Sequence, residues 1–534
     1  MVWIVIGVSA WLAVVALTAL WPQRSGILAA LAYPVGWVAG ELPVQAILTE
    51  GVLLGLLAWW GWPHDDLSGI VLTLAVAVVA ANLALLAVSL SAQHSVAQQL
   101  AGAPDRPLRV GRPGQDAFGR WWRTVIKVSA HPRWLEVTAD QPYGPDARQR
   151  LDVWRRRDAG PGAPVVLYYH GGAWTFGHKS QQGRPLLHEL AARGWVVVTP
   201  NYRFAPTHPW PSQIEDARAA LAWTRSHAAA LGADPGRIVV AGGSAGGQLA
   251  ALVALTDEEV APGELSLRGC LSFYGVLEMT GDEELWRGLG RGLRRLLEHR
   301  VFQVRVADAR ALFEEASPLH RLHAGAPPFL VVQGRTDTLV EVNVARTFVA
   351  RFREVAPAPV WYVELAGTQH AFDLTASPRT SAVVRAAVAA ASAMVAPRPP
   401  LEPAMLARYV VPPAQLLVEV DGTAIEAREY AGRAGTLYAL TSDNARSRVV
   451  TDEENAAARA DLVATLARLG VAPLAATRAR DAKGRFPDEC GVALSSRALA
   501  LALARRYDQH AIYEVTANAI RVIDADTGAV RASS

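Results

Sequence analysis

Arg237-Ile238-Val239-Val240-Ala241-Gly242-Gly243-Ser244-Ala245-Gly246 is the stretch on which the reading of this chain turns. A β-branched run leads into a serine flanked by glycines, and small residues from Gln248 to Leu255 follow with helical character. Strand, sharp turn and helix are the context in which G-x-S-x-G presents a nucleophile. Bulky neighbours in so tight a turn would collide with the helix or with a substrate, and glycines avoid this. The turn exposes the Ser244 hydroxyl and aims the Ala245 N–H at the same point. Taken alone, the motif equally describes an ordinary glycine-rich turn, so chemistry requires partners elsewhere.

A serine hydroxyl attacks only when a base takes its proton, and that base must itself be oriented. Phe329-Leu330-Val331-Val332-Gln333 runs into Gly334-Arg335-Thr336-Asp337, and Trp361-Tyr362-Val363-Glu364-Leu365 runs into Ala366-Gly367-Thr368-Gln369-His370. Both candidates fall in loops at the carboxyl ends of strands, where α/β sheets gather their sites. Asp337 is the expected orienting acid and His370 the expected base; Glu341 and Asp373 are alternatives that follow a strand less closely. Upstream, Val165 to Tyr169 leads into His170-Gly171-Gly172-Ala173-Trp174. The N–H groups of Gly171, Gly172 and Ala245 are expected to form an oxyanion hole for a carbonyl oxygen under attack. His170 reads as a loop-holding residue; Trp174 either lines a pocket or packs beneath the loop.

His170 to Trp174, Asn201-Tyr202-Arg203-Phe204-Ala205-Pro206, Pro209-Trp210-Pro211 and Gly242 to Gly247 together resemble the hormone-sensitive-lipase-like esterase family, over roughly residues 130–395. The resemblance implies an α/β class chain with an α/β-hydrolase fold and a helical cap at 278–323. It implies ester hydrolysis through an acyl-enzyme on Ser244, Asp337 and His370, in the chain order usual for that fold, with no cofactor and no metal. Ala173 stands where many members have a third glycine, and variants with Ala and Trp look closer to small-ester and aryl formamide hydrolases. Formamide hydrolysis on the same triad is therefore one alternative. A non-catalytic, membrane-tethered scaffold with a hydrolase fold is another. Gly172 to Ser180 is nearly a P-loop, but His178 intervenes between glycine and Lys179 and displaces the lysine.

The 534 residues exceed one ordinary domain, and a net charge of +3 gives no nucleic-acid signature. Cys270 and Cys490 lack ligand spacing and read as buried thiols. The first 100 residues carry only Arg24, Glu41, Glu50, Asp65 and Asp66 as formal charges. Residues 2–21 and 67–92 are uncharged and long enough to span a bilayer. Residues 44–62, ending in Trp59, Trp60 and Trp62, read as a third span, with Glu50 as a structural acid inside it. Residues 26–40, interrupted by Pro34, Gly36 and Gly40, read as interfacial or re-entrant. A membrane segment of about three transmembrane helices is thus expected at 1–95, followed by a basic juxtamembrane linker at 96–129. Arg106, Arg109, Arg112, Arg120, Arg123 and Lys127 of that linker outweigh Asp105 and Asp116, whereas the 63–66 loop holds Asp65 and Asp66. This asymmetry places the catalytic domain on the cytoplasmic face of a multi-pass cell-membrane protein. The expected partners are the membrane and a small-molecule or lipid ester, with no nucleic acid.

Ala-Pro-Arg-Pro-Pro-Leu-Glu-Pro at 396–403 marks a linker after the hydrolase domain at 130–395. Residues 404–534 read as a small α+β domain, with strands at 415–420, 436–441, 511–515 and 520–524 and helices at 453–469 and 495–507. That part resembles an uncharacterised bacterial domain family, which lends no chemistry. In the cap, Arg287, Arg291, Arg294, Arg295 and Arg300 stand among leucines and form either a face for anionic headgroups or a solvated one. Glu215 and Asp216 read as helix caps.

Overall fold

A computed structural model describes residues 2–20, 26–60, 68–104, 106–111, 132–260, 267–287 and 289–396, and beyond these 415–420, 423–441, 451–468, 471–480, 489–507, 509, 511–525 and 530–533. Arg24, the 63–66 loop, most of the basic stretch and nearly all of the proline-rich linker lie outside the described residues.

Four helices open the chain: α1 (Val2–Leu20), α2 (Gly26–Glu41), α3 (Pro43–Trp59) and α4 (Ser68–Ala101). By length and composition α1 and α4 suffice to cross a bilayer; α2 and α3 meet at 83° around Leu42 and count as a third span only if the bent pair is taken together. Residues 26–40 are thus a helix turned across the axis of α3, and α3 alone, at 17 residues, is shorter than α1 and α4. Val5, Leu57 and Val71 pack at one end of the bundle, and Val15, Ala16, Ala19, Ala39 and Leu85 at the other. Glu50 is wholly buried between the helices and accepts the Ser9 hydroxyl at 2.7 Å, a partner that makes an acid tolerable there.

The next unit is built on an eight-stranded sheet: β1 (Leu135–Pro142), β2 (Arg150–Arg156), β3 (Ala163–Tyr169), β4 (Val196–Pro200), β5 (Ala233–Gly243), β6 (Gly269–Phe273), β7 (Phe329–Gly334) and β8 (Val360–Leu365), in spatial order β1-β2-β4-β3-β5-β6-β7-β8. β1 and β2 pair antiparallel, β2 pairs antiparallel to β4, and the remaining pairs are parallel. The chain steps from β3 to β4 on one side and returns to β5 on the other, which opens a crevice at the carboxyl ends of β3 and β5. In β3 the period-two rule sends Val165, Leu167 and Tyr169 to one face and Val166 and Tyr168 to the other, and both faces are buried.

The helices Ser212–His227 and Ala245–Val260 supply residues to the first face. The second is covered by the helix Pro378–Val395 and by the end of α4, whose Val96 and Leu100 join Ala103 and Leu108 in the same core. The linker expected at 96–129 thus begins inside folded structure, with four of its residues, Val96, Leu100, Ala103 and Leu108, buried in this core. α4 has 34 residues, about 51 Å of helix, longer than a hydrocarbon core of about 30 Å, and its last turns pack into this second core.

Between β6 and β7 lies the cap, with short helical pieces at Glu283–Trp286, Gly290–Leu296, Leu297–Val301 and Arg310–Glu315. Trp286 anchors it by donating to Glu278 at 2.7 Å, and Phe302 stacks on Phe313. Arg287, Arg291, Arg295 and Arg300 are exposed, while Arg294 is half-buried and turns back to the Gly281 carbonyl.

The C-terminal region is a second, wholly antiparallel eight-stranded sheet accompanied by the helices Asp452–Arg468 and Arg497–Arg506. Besides the four expected strands it uses Thr423–Glu426, Ala475–Arg480, Glu489–Leu494 and Val530–Ser533. Cys490, in one of these strands, is only partly buried; Cys270 is buried in β6.

Candidate active site

Ser244 follows β5 directly at φ 57°, in the left-handed region a non-glycine residue rarely adopts. Its neighbours explain why the turn is made of glycine. A Cβ on Gly242 would lie 2.2 Å from the Gly246 carbonyl oxygen, one on Gly246 would lie 2.0 Å from that of Tyr169, and one on Gly247 would lie 2.9 Å from Gly275 Cα. Ser244 is held by its own N–H, which donates to Phe273 O at 3.0 Å, leaving the hydroxyl half-exposed.

His370 follows β8, and its Nε2 lies 2.8 Å from Ser244 Oγ. On the other side of the ring Nδ1 lies 2.8 Å from Asp337 Oδ2. A carboxylate opposite Nδ1 requires the proton there, so Nε2 is free to accept the serine proton. Asp337 is itself fully engaged: Oδ2 also accepts from Gln333 Nε2 at 3.0 Å, and Oδ1 accepts the N–H groups of Leu339 and Val340 at 2.8 and 2.9 Å. The three expected residues therefore converge in one hydrogen-bonded row. Of the alternative acids, neither Glu341 nor Asp373 takes the Nδ1 position.

Asp373 nevertheless belongs to the surroundings. Burial pushes its carboxyl up to about 6, opposed by the Tyr274 hydroxyl that donates to it. Tyr274 in turn sets its ring edge against His370, centroid to centroid 4.7 Å. The loops are stitched together by Gln369, whose Oε1 accepts the N–H and hydroxyl of Thr338 at 3.1 and 3.2 Å.

The loop after β3 is strained where it passes the serine: Gly172, Ala173 and Trp174 hold φ of 124°, 50° and 59°. A Cβ on Gly172 would sit 1.9 Å from Phe176 O, and one on Gly171 would sit 3.0 Å from Ser244 Cβ. Here the sequence expectation needs correcting. The Gly171 N–H already donates to Gln182 Oε1 at 2.6 Å and is not free for an oxyanion. Among the described residues, the N–H groups of Gly172, Ala173 and Ala245 have no acceptor. Ala173 thus stands at a donor position and keeps the left-handed backbone there.

Supporting residues fall into place around it. His170 is buried, stacks on Tyr202 at 4.5 Å and places Nδ1 2.6 Å from Gly171 O; burial pushes its imidazole down to about 4, so it is neutral and structural. Trp174 packs beneath the loop and donates to Gln248 at 3.0 Å. Asp216 does more than cap a helix: wholly buried, it accepts the Arg203 guanidinium at 2.6 Å and the Arg203 N–H at 2.7 Å, fixing the Asn201–Pro206 stretch. Lys179 bridges Asp140 and Asp152, both at 2.8 Å, and serves no phosphate loop. Gln182, Tyr274 and Gln333 were not singled out from sequence. Gln333, a polar residue in the buried strand before Asp337, carried a readable signal; Gln182, eleven residues from its partner, did not.

Residues 151–352 match the BD-FAE family, and residues 440–512 match a protein family of unknown function, DUF3293. The chain is 40% identical to the esterase LipQ of Mycobacterium tuberculosis over 48% of its own length and 62% of LipQ. It is 32% identical to the esterase LipI of the same organism over 47% of its length and 75% of LipI. Among solved structures, the thermostable carboxylesterase EstE1 from a metagenomic library is 26% identical, covering 53% of this chain and 96% of EstE1 with a TM-score of 0.44.

Proposed function

Since this chain belongs to the α/β-hydrolase esterase family that includes LipI, we propose that it is a membrane-anchored serine hydrolase that cleaves carboxylic esters through an acyl-enzyme. The observation that carries this reading is the row Ser244 Oγ, His370 Nε2 and Nδ1, Asp337 Oδ2, with 2.8 Å at each contact. His370 takes the hydroxyl proton as Ser244 Oγ bonds to the ester carbonyl carbon. The carbonyl oxygen becomes an oxyanion and accepts hydrogen bonds from Gly172, Ala173 and Ala245. Collapse breaks the bond to the alkoxy group, His370 returns the proton to the departing alcohol, and water repeats the sequence on the acyl group. Asp337 holds the ring through Nδ1 and stabilises the imidazolium.

The anchoring half of the proposal rests on α1 and α4, and the acidic and basic flanks favour a cytoplasmic catalytic unit. The substrate is a small-molecule or lipid ester. The decisive experiment is fluorophosphonate labelling together with hydrolysis of an ester chain-length series and an aryl formamide, on wild type and S244A. Labelling and ester turnover that vanish in S244A are expected. A folded wild-type protein that takes no label refutes the enzyme reading, and preference for the formamide would reassign the substrate while leaving the triad in place.

A further inference from the structure

The loop that carries His370 is held from outside the hydrolase unit. Trp37 of α2 donates its indole N–H to the carbonyl of Ala371, the residue after His370, at 2.9 Å. Ala371 sits at φ 53°, a left-handed conformation that an alanine keeps only where its surroundings impose it. One residue before Trp37, Gly36 presses on Gln369: a Cβ there would lie 3.2 Å from Gln369 Nε2. Gln369 is the side chain that reaches across to Thr338, next to Asp337. At the end of α2, Glu41 forms a fully buried ion pair with Arg379, in the first turn of the helix after the loop. α4 completes the clasp, with Val88 against Gly367 and Gln93 donating to Pro378 O at 2.8 Å. From Gly367 to Arg379 the backbone around the base is thus bounded by the apolar N-terminal helices.

We propose that α2 is a positioning element of the catalytic apparatus: Trp37 fixes the backbone at His370, and Gly36, through Gln369, holds the His370 and Asp337 loops in register. Hydrolysis is then coupled to the seating of the N-terminal helices and not merely tethered by them. The inference rests on the serine-hydrolase reading. Neither Trp37 nor Gly36 touches Ser244, so both act through the base and neither is a catalytic residue.

The test uses the full chain in detergent micelles, with active sites counted by end-point fluorophosphonate labelling so that any unfolded fraction drops out of the comparison. W37F keeps an aromatic ring, though a smaller one, and removes the donor; G36A adds one methyl that Gln369 must yield to. Each is expected to lower kcat per labelled site on a short, soluble ester about tenfold with KM unchanged, because a misplaced base costs more in the transition state than in the bound ground state. V38A, on the adjacent exposed side chain, is expected to keep the wild-type kcat. Wild-type kcat per labelled site in both W37F and G36A overturns the proposal, as does a rise in KM at unchanged kcat. Turnover surviving in S244A would instead bring down the serine-hydrolase reading, so the two failures are distinguishable.

Discussion

Replacing Asp373 by asparagine should stabilise the protein at neutral pH and leave it nearly unchanged in acid. The carboxyl is buried beside Tyr274, and its ionisation is raised from 3.8 to about 6, chiefly by burial. A group that binds its proton more tightly when folded lends stability that is complete below its unfolded value and is lost as pH rises through its folded value. For Asp373 that loss begins near pH 4, is complete above about pH 6.5, and amounts to about 3 kcal/mol. Asparagine carries no charge to desolvate, and its amide oxygen still accepts the Tyr274 hydroxyl. The gain of D373N over wild type should therefore grow from near zero at pH 4 to about 3 kcal/mol at pH 7.5, or roughly 6–12 °C in the unfolding midpoint of a unit of this size. Thermal unfolding followed by tryptophan fluorescence in detergent at pH 4, 6 and 7.5, at one scan rate, measures it. A difference between the two proteins that is the same at all three pH values would refute the reasoning, since only a titrating carboxyl produces the trend.

D337N preserves the shape of the triad but offers His370 a neutral partner; kcat on an activated ester should fall roughly 10³–10⁴-fold, with KM little changed in steady-state assays. G172A places a Cβ 1.9 Å from Phe176 O on a backbone at φ 124°, and ester turnover should fall at least about 100-fold as the donor loop shifts, read at matched concentrations of folded protein. Q182A releases the Gly171 N–H and leaves it unpaired near the nucleophile; a midpoint loss matching about 1 kcal/mol is expected, with slower fluorophosphonate labelling in stopped time courses.

How much was legible in the sequence depended on how local the physics is. Ser244, Asp337 and His370 stand within five residues of the ends of short, mostly apolar strands, and a strand end followed by glycine announces itself within ten residues. Hydrogen bonds between distant side chains announce nothing. Gly171 looked as able a donor as Gly172 because both follow the same strand, and only Gln182 separates them. Asp216 looked like a cap because its partner Arg203 lies on the preceding loop. The end of α4 looked like a linker because apolar density drops after Ala92, although the few apolar residues that remain are spaced to cover a sheet. Ala475-Ala476-Thr477-Arg478-Ala479-Arg480 has the composition of a helix, yet pairing on both sides makes it a strand.

On the proposed anchoring, the run of α4 from bilayer to core has a consequence for biosynthesis. Val96 and Leu100 leave the ribosome long before β8 and the helix Pro378–Val395 that they pack against. In the interval the half-made sheet exposes an apolar face, and an inserted α4 would hold its waiting surface at the membrane. Chain elongation would then deliver the strands to a template oriented beforehand, and a nascent chain whose helix failed to insert would lack part of the floor on which it is assembled.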